Sequence, residues 1–453
     1  MRLSTPGYMD SVALVKKHLN LEGIHSFEAI ADAMHLHKQQ QVQSGLYSQD
    51  RFTLEGSDTE ALVVSPDTGK SAHCILWCLN HYTSLNRNPA VIQRVAEAVQ
   101  TYGTGSGTSA LSGGMSSLHK AVESRLATLV GKQRAMLFPT GYTANLGVLS
   151  ALPGKKDFLL IDREVHASII DGIKLSGRKF ASFRHNSVED LERKLQKYRH
   201  RYDNVIIVVE SAYSMSGDLA PLVDIVALKR KYQCHLYVDE AHTFGIYGEK
   251  GAGYCQQLGI SDDVDFIMST LSKATASVGG FVACHEKYIS LLEWSANSFI
   301  FQACLPPGDA AAILASLDEL EKNSHILTEL HAKNAYMRAR LVMAGFDLGT
   351  SESPIIPIFI SNPETLLRFN KSLFEAGIFS VSIVYPAVKP TEGRIRLILN
   401  AAHTYEQIDH TVTVLKKLGK AYGLLPSSKV FPTSNITTFT GATTLSQAHQ
   451  LAS

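Results

Sequence analysis

Short apolar runs alternate with longer stretches that repeat apolar residues every three or four positions through the middle of the chain. "RAMLFPTG", "FLLIDREVHAS", "NVIIVVES", "HLYVDEAH", "VDFIMSTLS" and "GGFVACH" each hold a few mostly apolar residues and end in small or polar ones. Strands covered on both faces read this way. Between them, "VEDLERKLQKYRHR" and "APLVDIVALKRKYQ" carry helical spacing. In "SSLHKAVESRLATLVG", Leu118, Val122, Leu126 and Leu129 form one helical stripe and Gly131 supplies the stop. No repeat of solenoid period interrupts the pattern. The alternation predicts the α/β class, a mostly parallel sheet with helices on both faces. Ligands of such sheets bind at the carboxyl ends of the strands, which is where the polar residues of these runs fall.

A helical region near 308–345 leads into "SPIIPIFIS", "GIFSVSIVYPAV" and "RIRLILNAAH", again alternating with helices. The expected organisation is an N-terminal arm and hairpin over residues 1–70, a large domain over 71–315 and a smaller C-terminal α/β domain over 316–425. The last stretch, 426–453, is rich in Ser and Thr and poor in charge, and reads as a mobile tail.

Composition narrows the partners. Over 453 residues the chain is 45% hydrophobic and 19% charged, with a formal net charge of +1. It has no run of like charges to attract nucleic acid or an anionic membrane, so small molecules are the expected ligands. No apolar stretch has the length of a membrane span and the N-terminus lacks a signal-peptide core, so no integral membrane association and a cytoplasmic location are expected. The six cysteines are sparse, and only Cys74 and Cys78 lie close together, in "CILWCLN". Buried free thiols are expected there, with no metal site and no disulfides.

"STLSKATASVGG" sets Lys273 among small and hydroxylated residues directly after a buried strand. Alone, it reads as a surface lysine. In "YVDEAHTFGIYGEKGAG", however, Asp239 and His242 also follow a strand. Taken as a pair, these read equally as a helix cap and a core histidine. Together the three would bring a carboxylate, an imidazole and an amine to one sheet edge. That combination fits pyridoxal 5'-phosphate (PLP), whose aldehyde condenses with a lysine amine while an acidic side chain keeps the ring nitrogen protonated. "FPTGYTANLG" puts Gly141, Tyr142 and Thr143 between a strand and a helix start, where free amides can hold a phosphate. His166 in "REVHASIIDG" could lie on a pyridine ring, and Glu210 and Ser214 in "ESAYSMSGDLAPL" follow a further strand.

From about residue 70 to 420 the chain resembles the α-oxoamine synthases. The resemblance rests on "YGTGSGTSALSGGMSSLHKAVE", "FPTGYTANLG", "HASIIDG", "YSMSGDLAPL", "DEAHTFGIYGEKGAG", "STLSKA" with "GGFVA", "CLPP" and "RIRLILNAAHT", in order and spacing. It implies the fold type I PLP-dependent transferase architecture (aspartate aminotransferase-like) and the joining of an amino acid to an acyl thioester with loss of carbon dioxide. Within the family the chain is similar to the soluble bacterial serine palmitoyltransferases in "FDLGTSESPIIPIFI", "YPAVKP" and "AAHTYEQID".

By this resemblance Lys273 is the Schiff-base lysine and the base, and Asp239 the partner of the ring nitrogen. His242 and Ser214 bond the ring hydroxyl. His166 stacks on the ring and meets the substrate carboxylate, and Gly141, Tyr142, Thr270 and Ser272 hold the phosphate. Arg396 engages the substrate carboxylate; Arg394, on the same strand face, is separated from it only by the motif. Asn80 is expected at the substrate. The resemblance further implies a homodimer, and an amino acid and acyl thioester (acyl-CoA or acyl carrier protein) as partners, with L-serine and palmitoyl-CoA favoured. Alternatives are alanine, glycine or 2-aminobutyrate with another acyl donor, as in signalling-molecule or secondary-metabolite synthesis, and a PLP-fold partner subunit. The chain departs from the family where Thr108, Ser109 and Ala110 replace Gly-Ser-Arg, where Gln302, Ala303 and Cys304 precede "LPP", and in "NHYTSL" near Asn80. These departures bear on the acyl donor and on contacts between subunits.

Overall fold

The computed structural model describes residues 23, 25–56, 58–66, 68–384, 388–389 and 391–425. Residues 1–22 and 24, residues 385–387 and 390 of "YPAVKP", and the stretch from 426 onward lie outside them.

Near the N-terminus, β1 (Phe52–Thr53), β2 (Glu60–Ser65) and β3 (Lys70–Leu76) form an antiparallel meander. Seven strands follow: β4 (Arg134–Phe138), β5 (Asp157–Asp162), β6 (Phe180–Phe183), β7 (Asn204–Glu210), β8 (His235–Asp239), β9 (Phe266–Thr270) and β10 (Gly280–Cys284). They make one sheet in the order β4-β10-β9-β8-β7-β5-β6. Neighbours from β9 to β6 run parallel, while β10 lies antiparallel between β4 and β9. The apolar runs are continuous because successive residues are buried on opposite faces. Leu160, Ile207, Val209, Leu236 and Val238 join one core, and Leu159, Ile161, Ile206, Val208 and Tyr237 the other. Each such side chain taken out of water contributes about 1.5–3 kcal/mol.

β6 is absent from the sequence expectation because it shows little of a buried strand. It is a four-residue edge strand, "FASF", in which only Phe183 is buried. The helix expected from "SSLHKAVESRLATLVG" spans Ser117–Leu129, and Gly131 just beyond it adopts a φ of 71°. The helical region near 308–345 divides into Pro307–Lys322 and His325–Ala344.

Towards the C-terminus, β11 (Ile355–Phe359), β13 (Val381–Ile383) and β14 (Arg394–Ile398) form a sheet in the order β11-β14-β13. The two-residue strand β12 (Ile378–Phe379) instead pairs parallel with β3. The N-terminal hairpin is thus built into the C-terminal layer, and the chain after it is tied to β14: Ile398 N–H donates to Trp77 O at 2.8 Å and Ala401 N–H to Tyr82 O at 2.8 Å. This lays the segment 77–82 beside the strand that carries Arg396.

Candidate active site

The carboxyl ends of β5, β7, β8 and β9 present Asp162, Glu210, Asp239 and Thr270. Glu210 and Asp239 face each other in register across β7 and β8. Two buried carboxylates side by side are costly unless something cationic or donating meets them. Burial and then Asp239 push the Glu210 carboxyl well above its usual range, while its Oε1 accepts the His166 backbone N–H.

Lys273 follows β9 on a tight turn. Ala276 N–H closes back on Lys273 O at 3.2 Å, Thr83 donates its hydroxyl to Ala274 O at 2.5 Å, and Ala276 takes a φ of 52°, a conformation an alanine seldom adopts. The turn delivers the amine to 2.7 Å from His242 Nε2. Burial lowers the Lys273 pKa to about 8, against Asp239 and Glu210, which raise it. Near neutral pH an appreciable share of the amine is therefore unprotonated, as a nucleophile or base must be. Burial, then Lys273 and Arg396, hold the His242 imidazole well below its usual pKa, so it is neutral; its Nδ1 meets the Tyr82 hydroxyl at 2.7 Å.

Asp239 is fixed by two donors, the Ala241 amide at 2.9 Å and Asn145 Nδ2 at 2.8 Å. Asn145 also donates to Ser168 Oγ at 3.0 Å, which meets His166 Nδ1 at 2.7 Å. His166 caps the helix Ala167–Ser176. The structure thus brings Asp239 and His166 together through residues that sequence reasoning missed, Asn145 and Ser168. Tyr82 was missed as well. Ser168 sits inside the quoted "HASIIDG" and Asn145 inside "FPTGYTANLG", but a polar residue within a helical stretch gives no sign of which side chain it reaches.

Helix Gly141–Ala151 begins at the end of β4. Thr140 caps it by accepting the Thr143 amide at 3.0 Å, which leaves the Gly141 and Tyr142 amides among the unpaired donors of a helix start. Glycine is needed here: a Cβ on Gly141 would stand 2.7 Å from Thr270 Cβ, and one on Gly280 would stand 2.6 Å from Gly141 Cα. Thr270 and Ser272 pair their hydroxyls at 2.8 Å beside this start. The Tyr142 hydroxyl turns away to Asp171, so its backbone amide is what it offers an anion.

Arg396 and Arg394 part company. Arg394 is buried, donates to Glu392 O at 2.9 Å and Met215 O at 3.1 Å, and lies over the Phe359 ring. Arg396 donates one nitrogen to Ser214 O at 3.0 Å, and its buried Nε has no partner among the described residues. The guanidinium with spare donors is the one the motif pointed to. Ser214 enters this cluster through its carbonyl. Asn80 lies on the segment between Trp77 and Tyr82, with its buried Oδ1 unpaired and no direct contact to Lys273, Asp239 or Arg396 among the hydrogen bonds of the described residues. Two of the three family departures meet: Ala110, Gln302, Ala303 and Cys304 line one pocket with Met115, His119 and Phe299. All six cysteines are free thiols.

These residues fit PLP. Free helix-start amides and two hydroxyls suit a phosphate, a partly unprotonated amine suits an aldehyde, a buried carboxylate suits a pyridinium, and an arginine with an unpaired Nε suits a substrate carboxylate.

Comparison with known proteins agrees. The aminotransferase class I and II family profile matches residues 72–415. The chain is 39% identical over 354 residues to a serine palmitoyltransferase of Bacteroides thetaiotaomicron, covering 78% of this chain and 89% of the relative. It is 36% identical over 406 residues to an 8-amino-7-oxononanoate synthase of Treponema denticola, covering 89% of this chain and 100% of the relative. The Sphingomonas wittichii serine palmitoyltransferase structure superposes with a TM-score of 0.83 at 30% identity, covering 89% of this chain and all of that one. A serine palmitoyltransferase structure with PLP as internal aldimine gives a TM-score of 0.83 at 30% identity, over 88% of this chain and 100% of that one.

Proposed function

The chain belongs to the class I and II aminotransferase family and, within it, to the PLP-dependent α-oxoamine synthases, and on that premise we propose that it condenses L-serine with palmitoyl-CoA, releasing carbon dioxide. The geometry that carries the PLP chemistry is the Lys273 amine, 2.7 Å from His242 Nε2 beside the buried Asp239 and Glu210; the choice of serine and palmitoyl-CoA rests on the 39% identity to the Bacteroides thetaiotaomicron serine palmitoyltransferase.

Bound PLP supplies an electron sink for the bonds broken at the amino-acid α-carbon. The chain's own residues do the rest. Gly141, Tyr142, Thr270 and Ser272 hold the phosphate, and Asp239 faces the ring nitrogen. Lys273, unprotonated in part at neutral pH, takes the α-proton. His242 stays neutral and offers Lys273 a hydrogen-bond partner without adding a charge. Arg396 uses its unpaired Nε to engage the substrate carboxylate and so orients the bond to be broken. Asn80 contacts the substrate from the 77–82 segment, and His242 with Ser214 meets the ring hydroxyl.

We read the protein as a cytoplasmic homodimer; no helix among the described residues is long and apolar enough to cross a membrane. A second reading, the same chemistry with another amino acid and acyl thioester to give 8-amino-7-oxononanoate, is supported by the Treponema denticola 8-amino-7-oxononanoate synthase, all of whose length the chain covers.

The test is release of carboxyl-labelled carbon dioxide from L-serine, L-alanine and glycine, each with palmitoyl-CoA and with a shorter acyl-CoA, followed by the mass of the product. Release from serine that requires palmitoyl-CoA is expected. Release only from alanine, or only with the shorter donor, replaces the substrates and keeps the chemistry.

A further inference from the structure

The polar chain beside Asp239 contains groups that can act in only one direction, and these set the direction of the others. The buried Tyr237 hydroxyl donates to Asn145 Oδ1 at 2.7 Å. This turns the Asn145 amide nitrogen toward Asp239 Oδ2 at 2.8 Å and Ser168 Oγ at 3.0 Å. Ser168 Oγ, already accepting, gives its own hydrogen to His166 Nδ1 at 2.7 Å. The Ser168 backbone N–H, which can only donate, points at the same Nδ1 at 3.3 Å. Nδ1 is therefore an acceptor, and a neutral His166 carries its proton on Nε2.

We propose that Asn145 and Ser168 are positioning residues that tie Asp239 and His166 to one amide and fix His166 as the Nε2–H tautomer, so that the imidazole presents a donor to the substrate carboxylate. The inference rests on the role proposed above for Asp239 and on the substrate-carboxylate contact that the family resemblance implies for His166. Neither side chain needs to touch the reacting atoms: Asn145 is 1% exposed and Ser168 1% exposed. Their effect is to decide which way two cofactor-facing groups point and which edge of the imidazole can donate.

The test is 15N NMR of 15N-histidine-labelled protein without cofactor or substrate, with the His166 signals assigned by their loss in His166→Gln. The expected wild-type spectrum has His166 protonated at Nε2 and unprotonated at Nδ1. Ser168→Ala removes the 2.7 Å hydroxyl donor and leaves only the longer 3.3 Å backbone N–H on Nδ1, so the His166 pair moves part of the way toward the averaged positions of mixed tautomers. In the PLP-loaded enzyme the same variant raises KM for the amino acid roughly tenfold, with cofactor affinity, read from its visible absorbance, unchanged. Asn145→Ala also shifts the absorbance band of bound cofactor, because Asp239 loses one of its two donors; should that variant fail to fold, Ser168→Ala carries the test. A wild-type proton on Nδ1, or a Ser168→Ala protein with unaltered His166 signals, overturns the proposal. Absence of carbon dioxide release from any substrate pair would undo the proposed function and leave the tautomer result standing.

Discussion

Arg394 and Arg396 stand two residues apart on one strand, and their partners separate a structural cation from one free to bind. Arg394 spends its donors on the carbonyls of Glu392 and Met215 and its plane on Phe359. Truncating it removes two hydrogen bonds of a buried guanidinium and its packing on Phe359, so Arg394→Ala should cost about 1–3 kcal/mol of stability, read as a lower denaturant midpoint. Arg396→Ala should fold with a near-normal midpoint and raise KM for the amino acid roughly 10- to 150-fold, the worth of a hydrogen bond to a charged group. The reverse pattern would assign the carboxylate to Arg394. At this scale the sequence was informative where chemistry names a residue type. An amine, a carboxylate and an imidazole after successive strands announce Lys273, Asp239 and His242. It was silent on Asn145, Ser168 and Tyr82, because an amide, a hydroxyl or a phenol is compatible with almost any position until the fold supplies its neighbour.

At the scale of elements, three strand ends are fastened by one histidine. His185, just after β6, meets Asp162 at the end of β5 at 2.9 Å and Asp218 in the loop after β7 at 2.7 Å. That loop carries Ser214 and Met215, whose carbonyls receive Arg396 and Arg394. The network therefore helps set where the Arg396 guanidinium points. Burial acts to lower the His185 pKa, but the bonds to Asp162 and Asp218 prevail and raise it to about 10. A histidine raised from about 6.5 stabilises the fold fully below that value and loses its contribution as pH climbs through 10. His185→Gln should cost about 3–5 kcal/mol at neutral pH, the expense of breaking a buried ion pair. Between pH 7 and 10 its melting temperature should fall less than that of the wild type. Parallel curves would mean that His185 is uncharged in the native protein. The strands that frame the site were legible because both faces of the sheet are buried, so each run is apolar without interruption. β6 was not, because an edge strand with one buried residue has no such run.

For the whole molecule, the surface beside the site is more apolar than a lone subunit needs. Leu291 and Trp294 on the helix Glu286–Ser295 are 44% and 83% exposed, Phe301 is 81% exposed and Leu111 is 53% exposed. They lie on adjoining elements: the helix Glu286–Ser295 packs on Asn297–Ile300, which packs on the turn Ala110–Ser112. A rim of large apolar side chains of this kind marks a surface that another protein covers. A second copy of the chain is the occupant we propose, since the same edge holds Ala110 and Gln302, the positions where the family pattern of subunit contacts is altered. Light scattering should then give twice the 49.5 kDa chain mass, and Trp294→Glu combined with Phe301→Glu should shift it to a single chain by burying unpaired charge at the contact. Met343→Glu, at an equally exposed apolar residue on the helix His325–Ala344, should leave the mass unchanged and so separates a specific contact from general stickiness. A wild type that scatters as one chain would remove the dimer. If the double variant is monomeric and still condenses serine at the normal rate, the site is complete within one subunit, and the altered residues at Ala110 and Gln302 must be explained by the acyl donor alone.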